Sequence, residues 1–166
     1  MAFAESFPPI AAPGARVLIL GSMPGVASLE AGQYYAHPRN AFWPIMGRLY
    51  GAGPGLPYAE RCGRLQAAGV AVWDVLRQCR RAGSLDSAIE RDSESANDIA
   101  GLLHECPAIG LIAFNGRKAE QAFNRHVRQN LTTSPPKTVC LPSTSPAHAA
   151  RSLDQKTAIW RAALLE

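Results

Sequence analysis

Long apolar runs are absent from this sequence of 166 residues. No stretch approaches the ~20 consecutive apolar residues that a membrane-spanning helix needs. Residues 1–15 contain three prolines and Glu5 but no basic start followed by an apolar run, so the features of a secretory signal are also missing. These absences predict a cytoplasmic protein without a membrane partner.

Cysteine is scarce and widely spaced. The four cysteines are separated by 17, 27 and 34 positions and form neither a CxxC pair nor a cysteine–histidine pattern typical of a metal site. We therefore expect no metal. We also expect reduced, mostly buried thiols at Cys62, Cys79, Cys106 and Cys140.

Lysine is rare as well, since only three of the 17 basic residues are lysines. Arginine favours planar, bidentate contacts with phosphate or carboxylate, so the bias fits a polyanionic partner. The arginine usage of a GC-rich genome explains the same composition equally well. The net charge of +4 permits a nucleic acid partner without requiring one.

Hydrophobic residues make up 47% of the chain, which suffices for the core of one domain. We expect a single domain over residues 1–166, with residues 1–15 as an N-terminal extension. Short apolar runs alternate with helix-like stretches, as is typical of an α/β domain around a mainly parallel sheet. The predicted strands are 16–21, 70–75, 110–114 and 138–141, and the predicted helices are 40–50, 58–68, 96–105, 117–129 and 152–165.

Polar or glycine-bearing segments follow each of the four predicted strands. In an open parallel sheet, ligands bind at the edge where the carboxyl ends of the strands meet. We therefore expect segments 21–25 (GSMPG), 73–74 (WD), 115–116 (NG) and 142–146 (PSTSP) to converge. The first segment lacks the GxGxxG and GxxxxGK[ST] patterns of nucleotide-binding loops, and a purely structural turn is an equal alternative for it.

The densest chemical feature is residues 34–43, YYAHPRNAFW, where four aromatic side chains surround a histidine, an arginine and an asparagine. A structural role competes for each polar residue. Asn40, for example, stands where a helix is predicted to begin and is a suitable N-cap. Together, the stacking surfaces and hydrogen-bonding groups match what a protein needs to bind a flat nucleobase.

Five blocks of the sequence resemble the hypoxanthine-DNA glycosylase family of the uracil-DNA glycosylase superfamily. They are LGSMPG, YYAHPRNAFW, VWDVL with RRAGSLDS, FNGRKA and LPSTSPAHA, and HPRN-x-FW is the most specific pattern among them. The resemblance implies a three-layer α/β/α fold with a central four-stranded parallel sheet. It also implies a monomeric, monofunctional enzyme without cofactor or metal that hydrolyses the N-glycosidic bond of deaminated bases, above all hypoxanthine, in base excision repair.

The resemblance also implies roles for individual residues. Asn40 matches the catalytic asparagine of the family, and Asn115 matches a position that binds the base or a water. Other branches of the superfamily carry Asp or Asn inside the first motif, where this chain has Met23, so placement of the water is assigned to Asn40. The residues implied in the base pocket are Gly21, Ser22, Met23, Pro24, Gly25, Tyr35, His37 and Phe42. Those implied in a loop along the DNA backbone and minor groove are Pro142, Ser143, Thr144, Ser145, Pro146 and His148, the last in place of the asparagine of the motif.

The expected partner is double-stranded damaged DNA with the target base flipped out, because a side chain cannot reach a base inside the duplex. A neutral amide is a poor general base near pH 7. N-glycosidic cleavage passes through an oxocarbenium-like sugar, however, so the placement of one water by Asn40 suffices. The residues leave two alternatives open: a uracil- or mismatch-specific glycosylase, and a noncatalytic nucleotide- or DNA-binding module.

Overall fold

The computed structural model describes residues 3–131 and 134–165. None of the helices in these ranges is long and apolar enough to cross a membrane. In chain order the elements are β1 (Phe3–Glu5), β2 (Val17–Gly21), α1 (Val26–Ala31), α2 (Phe42–Tyr50), α3 (Tyr58–Ala67), β3 (Val70–Asp74), β4 (Leu76–Arg81), β5 (Ile89–Ala96), α4 (Ile99–Glu105), β6 (Leu111–Asn115), α5 (Arg117–His126), β7 (Lys137–Leu141) and α6 (Leu153–Leu165). Short 3₁₀ helices span Asp86–Ala88 and Arg128–Asn130.

The centre of the fold is a four-stranded parallel sheet in the order β3-β2-β6-β7. Val17 of β2 pairs with Val70 on one side and with Leu111 on the other, and Leu111 pairs in turn with Lys137. Because β2 is covered on both faces, its sequence is continuously apolar rather than alternating. The four predicted strands are confirmed.

Helices cover both faces of this sheet. Successive side chains of a strand point to opposite faces, so Leu18 and Leu20 of β2 face one helical layer and Ile19 faces the other. The first layer contains α4 and α5, represented in the core by Phe123. The second contains α2, α3 and α6, represented by Trp160. The predicted three-layer α/β/α fold is therefore confirmed.

A second sheet, antiparallel and ordered β1-β4-β5, is missing from the sequence-based prediction. Strands β4 and β5 read LRQCRR and IERDSESA, and no apolar run marks them. Ala96 ends β5, so the helix predicted from residue 96 begins only at Ile99. In the N-terminal segment, β1 belongs to this sheet and Ile10 bridges Val72, so residues 3–10 pack against the rest of the domain.

A buried ion-pair cluster joins the antiparallel sheet to the helical layer of the main sheet. The side chain of Glu94 in β5 is fully buried, and its carboxylate contacts Lys118, Arg125 and His126 of α5. His126 Nε2 lies 2.8 Å and Arg125 Nη1 lies 3.4 Å from Glu94 Oε1. Burial alone would raise the pKa of Glu94, but hydrogen bonds from Lys118 and His126 hold this pKa below its ordinary value.

Replacing Glu94 with alanine removes the shared acceptor of three basic side chains. Breaking a buried ion pair costs about 3–5 kcal/mol, and the partial exposure of the three basic side chains lowers this figure. We expect a loss of about 2–3 kcal/mol in the free energy of unfolding at pH 7. Because the pKa of Glu94 is depressed in the folded state, the loss should shrink as the pH falls through that pKa.

Urea unfolding at pH 7 and pH 3 measures both effects. The control is Glu90→Ala, because Glu90 is exposed and its carboxylate lies 3.9 Å from Arg80. We expect the control to change stability little at either pH. If Glu94→Ala unfolds at the same urea concentration as wild type at pH 7, the ion-pair cluster does not stabilise the contact between β5 and α5.

Candidate active site

The carboxyl ends of the parallel strands open into a cavity of about 470 Å³. This volume lies within the ~300–1,000 Å³ typical of small-molecule sites. Gly21 ends β2, Asp74 ends β3, Asn115 ends β6, and residues 143–147 follow β7, so the four segments converge as the strand directions predict. In the part of the chain that the structure describes, no group of three or more His, Cys, Asp or Glu side chains could hold a metal ion.

Most of the residues singled out in the sequence line this cavity. They are Gly21, Ser22, Met23, Pro24, Gly25, Tyr35, His37, Asn40, Asn115, Ser143, Thr144, Ser145 and Pro146. Phe42 does not, and its predicted place in the pocket wall is wrong. Its ring is fully buried and stacks on Tyr35, with centroids 4.1 Å apart and 23° between the ring planes, so it supports the wall from behind.

Two residues of the last predicted loop also lie elsewhere. Pro142 and His148 line a separate surface hollow beside α6. The carbonyl of Pro142 accepts a hydrogen bond from Trp160 Nε1 at 3.0 Å, and the carbonyl of His148 accepts one from Lys156 Nζ at 2.6 Å. Their contact with a DNA backbone stays a prediction.

Asn40 both lines the cavity and binds the first N–H of helix α2, whose N-cap is Ala41. Its Oδ1 atom accepts a hydrogen bond from the N–H of Phe42 at 2.9 Å, and its own N–H donates to the carbonyl of His37 at 2.9 Å. The helix begins at Phe42 rather than at residue 40, so Asn40 stands one residue before the N-cap and its bond to the Phe42 N–H takes the place of the capping bond expected for it. An amide oxygen has two lone pairs, so the cap leaves one of them for a water.

Asn115 is buried and is bonded to the last loop. Its Nδ2 donates to Thr144 Oγ1 at 2.9 Å, and its Oδ1 accepts from the N–H of Thr144 at 2.9 Å. Thr144 is only 1% exposed, so this pair holds the loop firmly against the end of β6. The contact with a base that the resemblance implies for Asn115 stays a prediction, and it would come in addition to this supporting role.

The hairpin between β4 and β5 holds the first loop of the cavity. Ser22 Oγ donates to Asp86 Oδ1 at 2.6 Å, and the buried guanidinium of Arg81 donates to the carbonyl of Pro24. The first N–H of α1 donates to Ser84 Oγ at 2.8 Å. Three side chains of one hairpin therefore fix the conformation of the loop that follows β2.

Asp74 lines the cavity, as expected for segment 73–74, and the structure shows surroundings that the sequence does not indicate. Asp74 is 3% exposed, and its Oδ2 atom has no hydrogen-bond partner among residues 3–131 and 134–165. The hydroxyl of Tyr35, a residue with φ of 53°, is likewise buried without a partner in these ranges. A Cβ at Gly21 would lie 2.5 Å from Asp74 Oδ1 and 2.7 Å from Tyr35 Oη, so a larger residue at position 21 would force these two side chains to move. The one signal in the sequence is a charged residue within the apolar run VWDVL.

The surroundings of Asp74 favour its protonated form. Burial raises the pKa of Asp74 to about 7, the nearby Asp86 contributes in the same direction, and the guanidinium of Arg81 opposes both. Burial, together with the charge of Asp74, also raises the pKa of Tyr35, so this phenol is neutral at physiological pH. The cavity wall thus holds a carboxyl group near its midpoint of ionisation beside a neutral hydroxyl.

Comparisons with known proteins identify the family. The family model described as the uracil DNA glycosylase superfamily matches residues 8–164. The chain belongs to this superfamily. Two relatives, both named hypoxanthine DNA glycosylase, come from Methanosarcina barkeri (strain Fusaro) and Methanosarcina acetivorans. They are 34% and 37% identical to this chain over 116 residues, which are 69% of this chain and 72% of each relative.

A solved structure agrees with membership of the uracil DNA glycosylase superfamily. The solution NMR structure of a proposed uracil DNA glycosylase from Methanosarcina acetivorans matches with a TM-score of 0.77 and 31% sequence identity. The match covers 97% of this chain and 98% of that chain. The resemblance carried by the five sequence blocks is therefore confirmed at the level of the family and the fold.

The raised pKa of Asp74 predicts that Asp74→Asn stabilises the protein above pH 7. A carboxyl whose pKa is raised on folding binds more protons in the folded state, so wild type loses stability as the pH rises from 3.8, the ordinary value, to about 7. The amide cannot ionise and avoids this loss. We expect the variant to exceed wild type in the free energy of unfolding by roughly 1–4 kcal/mol at pH 8, and by less at pH 5.

Urea unfolding at the two pH values measures this difference. Asp92→Asn is the matched control, because Asp92 is exposed on β5, away from the cavity, and the same change there should leave stability nearly unchanged. Equal or lower stability of Asp74→Asn at pH 8 would show that the buried carboxyl is not destabilised by ionisation.

Proposed function

We propose that this DNA glycosylase removes hypoxanthine from DNA by hydrolysis of the N-glycosidic bond, as a monofunctional enzyme of base excision repair. The observation that carries the proposal is that Asn40 and the ring of Tyr35 line one cavity at the carboxyl edge of the sheet. The two relatives named hypoxanthine DNA glycosylase support hypoxanthine as the base.

The cavity suits a base that has left the duplex. Flipping costs a few kcal/mol of stacking and pairing, and less for a damaged base that pairs poorly. The ring of Tyr35, backed by Phe42, offers a flat surface on which a purine can stack. Arg39 is exposed beside the cavity, where its guanidinium can bind a flanking phosphate.

The chemical step requires positioning more than a strong base. The sugar develops oxocarbenium character as the bond to the base breaks, so a weakly activated water suffices if it is held below C1′. The free lone pair of Asn40 Oδ1 supplies that hold. Because the Phe42 N–H fixes the other lone pair, the amide is oriented before the substrate binds.

We further propose that the enzyme acts on double-stranded DNA as a monomer in the cytoplasm. The four cysteines are free thiols, two of them buried, which suits a reducing compartment. No disulfide links any of the described residues, so the fold does not depend on oxidised cysteines.

The test is a panel of duplex oligonucleotides that carry hypoxanthine, xanthine or uracil, treated with purified protein and then with alkali. We expect strand breaks at hypoxanthine after alkali and no breaks without it, because a monofunctional enzyme leaves an intact abasic strand. Breaks at uracil alone would favour the alternative suggested by the solved relative. The absence of breaks with every base would favour a noncatalytic binding module.

Asn40 variants test the placement of the water. Asn40→Ala removes both the water ligand and the hydrogen bond to the first N–H of α2, and the loss of that bond costs about 1 kcal/mol of stability. Asn40→Ser keeps a capping oxygen but withdraws the amide from the cavity. We expect both variants to release hypoxanthine at least ~100-fold more slowly than wild type in single-turnover assays, and Asn40→Ser to keep wild-type stability.

A melting curve and binding to uncleaved substrate are measured alongside the rates. If Asn40→Ser releases hypoxanthine at the wild-type rate, then Asn40 only supports the start of α2 and the water is held by another group.

A further inference from the structure

Asp74 lines the cavity with a carboxyl group whose hydrogen-bonding capacity the fold does not fully use. Its main-chain carbonyl accepts a hydrogen bond from Asn97 Nδ2 at 2.8 Å, whereas Oδ2 of its side chain has no partner among the described residues. A buried polar atom without a partner costs about 1–3 kcal/mol. Because Asp74 lines the cavity, a ligand bound there can reach this carboxyl group.

We propose that Asp74 is the general acid that protonates the base as it leaves the sugar. This inference rests on the proposed function and names the residue that completes its chemistry. A purine that departs with the electron pair of the glycosidic bond is a poor leaving group, and a positioned acid accelerates such a step by about 10²–10⁴-fold.

The other titratable side chains of the cavity are less suited to this role. His37 Nδ1 accepts a hydrogen bond from the N–H of Arg39 at 3.0 Å, and His37 lies in the partly exposed segment before α2. Tyr34 donates its hydroxyl to the carbonyl of Pro8 at 2.9 Å. Arg39 is exposed and remains charged at any physiological pH.

Tyr35 is the neighbour of Asp74 rather than its competitor. Burial raises the pKa of Tyr35, which makes the phenol a hydrogen-bond donor but a poor source of a proton. Gly21 brings the two groups together, because both side chains approach the space that a Cβ at position 21 would occupy. The phenol can therefore hold the base while Asp74 gives up its proton.

The charged side chains near Asp74 adjust its pKa for this step. Asp86 disfavours ionisation of Asp74, Arg81 favours it, and Tyr34 and Tyr35 are the phenols close enough to feel its charge. With burial, the balance places the pKa of Asp74 at about 7, near the pH at which the enzyme works. An acid of this strength is protonated in an appreciable fraction of molecules and still yields its proton.

The step balances without a further reactant. As the bond between N9 and C1′ breaks, its electron pair moves to the base, and the carboxyl of Asp74 transfers its proton to a ring nitrogen of the base. The water held by Asn40 forms the new bond between oxygen and C1′ and releases one proton, which restores the carboxyl of Asp74 directly or through solvent. The products are neutral hypoxanthine and an abasic sugar with a hydroxyl at C1′.

The experiment compares wild type and Asp74→Asn in single-turnover release of the excised base from a duplex oligonucleotide between pH 5 and pH 9. For wild type we expect a rate constant that falls above pH 7, by about tenfold per pH unit, because the acid must be protonated. For Asp74→Asn we expect a rate at pH 6 that is about 10²–10⁴-fold lower, without the decline above pH 7. Asp92→Asn is the control that should match wild type.

Binding separates catalysis from recognition. The Kd for a duplex with 2′-fluoroarabino-inosine, which resists cleavage, should differ less than about threefold between wild type and Asp74→Asn. A Kd that rises as much as the rate falls would overturn the inference, because Asp74 would then recognise the base before the reaction. A variant with the wild-type rate and pH profile would overturn it as well. If wild type itself releases no base, the proposed function fails and this inference fails with it.

Discussion

The parallel direction of four neighbouring strands is the constraint on which the site depends. It places the carboxyl ends of β2, β3, β6 and β7 at one edge, so residues far apart in the sequence meet in one cavity. The register then decides which residues are neighbours. Gly21 pairs with Asp74 across β2 and β3, and the absence of a side chain at Gly21 is what leaves room for the carboxyl group and for Tyr35.

The antiparallel sheet supports this edge from outside the main sheet. Its hairpin binds the first loop through Ser84, Asp86 and Arg81, and the buried Glu94 of β5 anchors the same hairpin to α5. A chain of direct contacts therefore runs from α5 through β5 to the loop after β2. Arg81 also lies close enough to lower the pKa of Asp74, so the support of the loop and the electrostatics of the cavity share one side chain.

The main sheet was predictable because its strands are buried and therefore apolar along their whole length, as VLIL in β2 shows. The antiparallel sheet was not, because LRQCRR and IERDSESA are dominated by residues that elsewhere mark exposed helices or loops. The place of Asn40 on the cavity followed from its motif, but the stacking of Phe42 behind Tyr35 depends on packing that no spacing in the sequence encodes. The missing hydrogen-bond partner of Asp74 Oδ2 was equally unpredictable from the sequence, because it depends on the surrounding residues and not on Asp74 itself.

Several features of the cavity lower the stability of the unliganded fold. Tyr35 holds a left-handed backbone that L-residues rarely adopt. Among the described residues, neither the buried hydroxyl of Tyr35 nor the buried Oδ2 atom of Asp74 has a hydrogen-bond partner. Their occurrence together around Gly21 is consistent with a ligand that supplies the missing partners, because hydrogen bonds from a flipped base would repay the unfavourable burial only when that base is bound. The same unpaired groups that lower the stability of this wall are therefore the groups that the proposed base would bind.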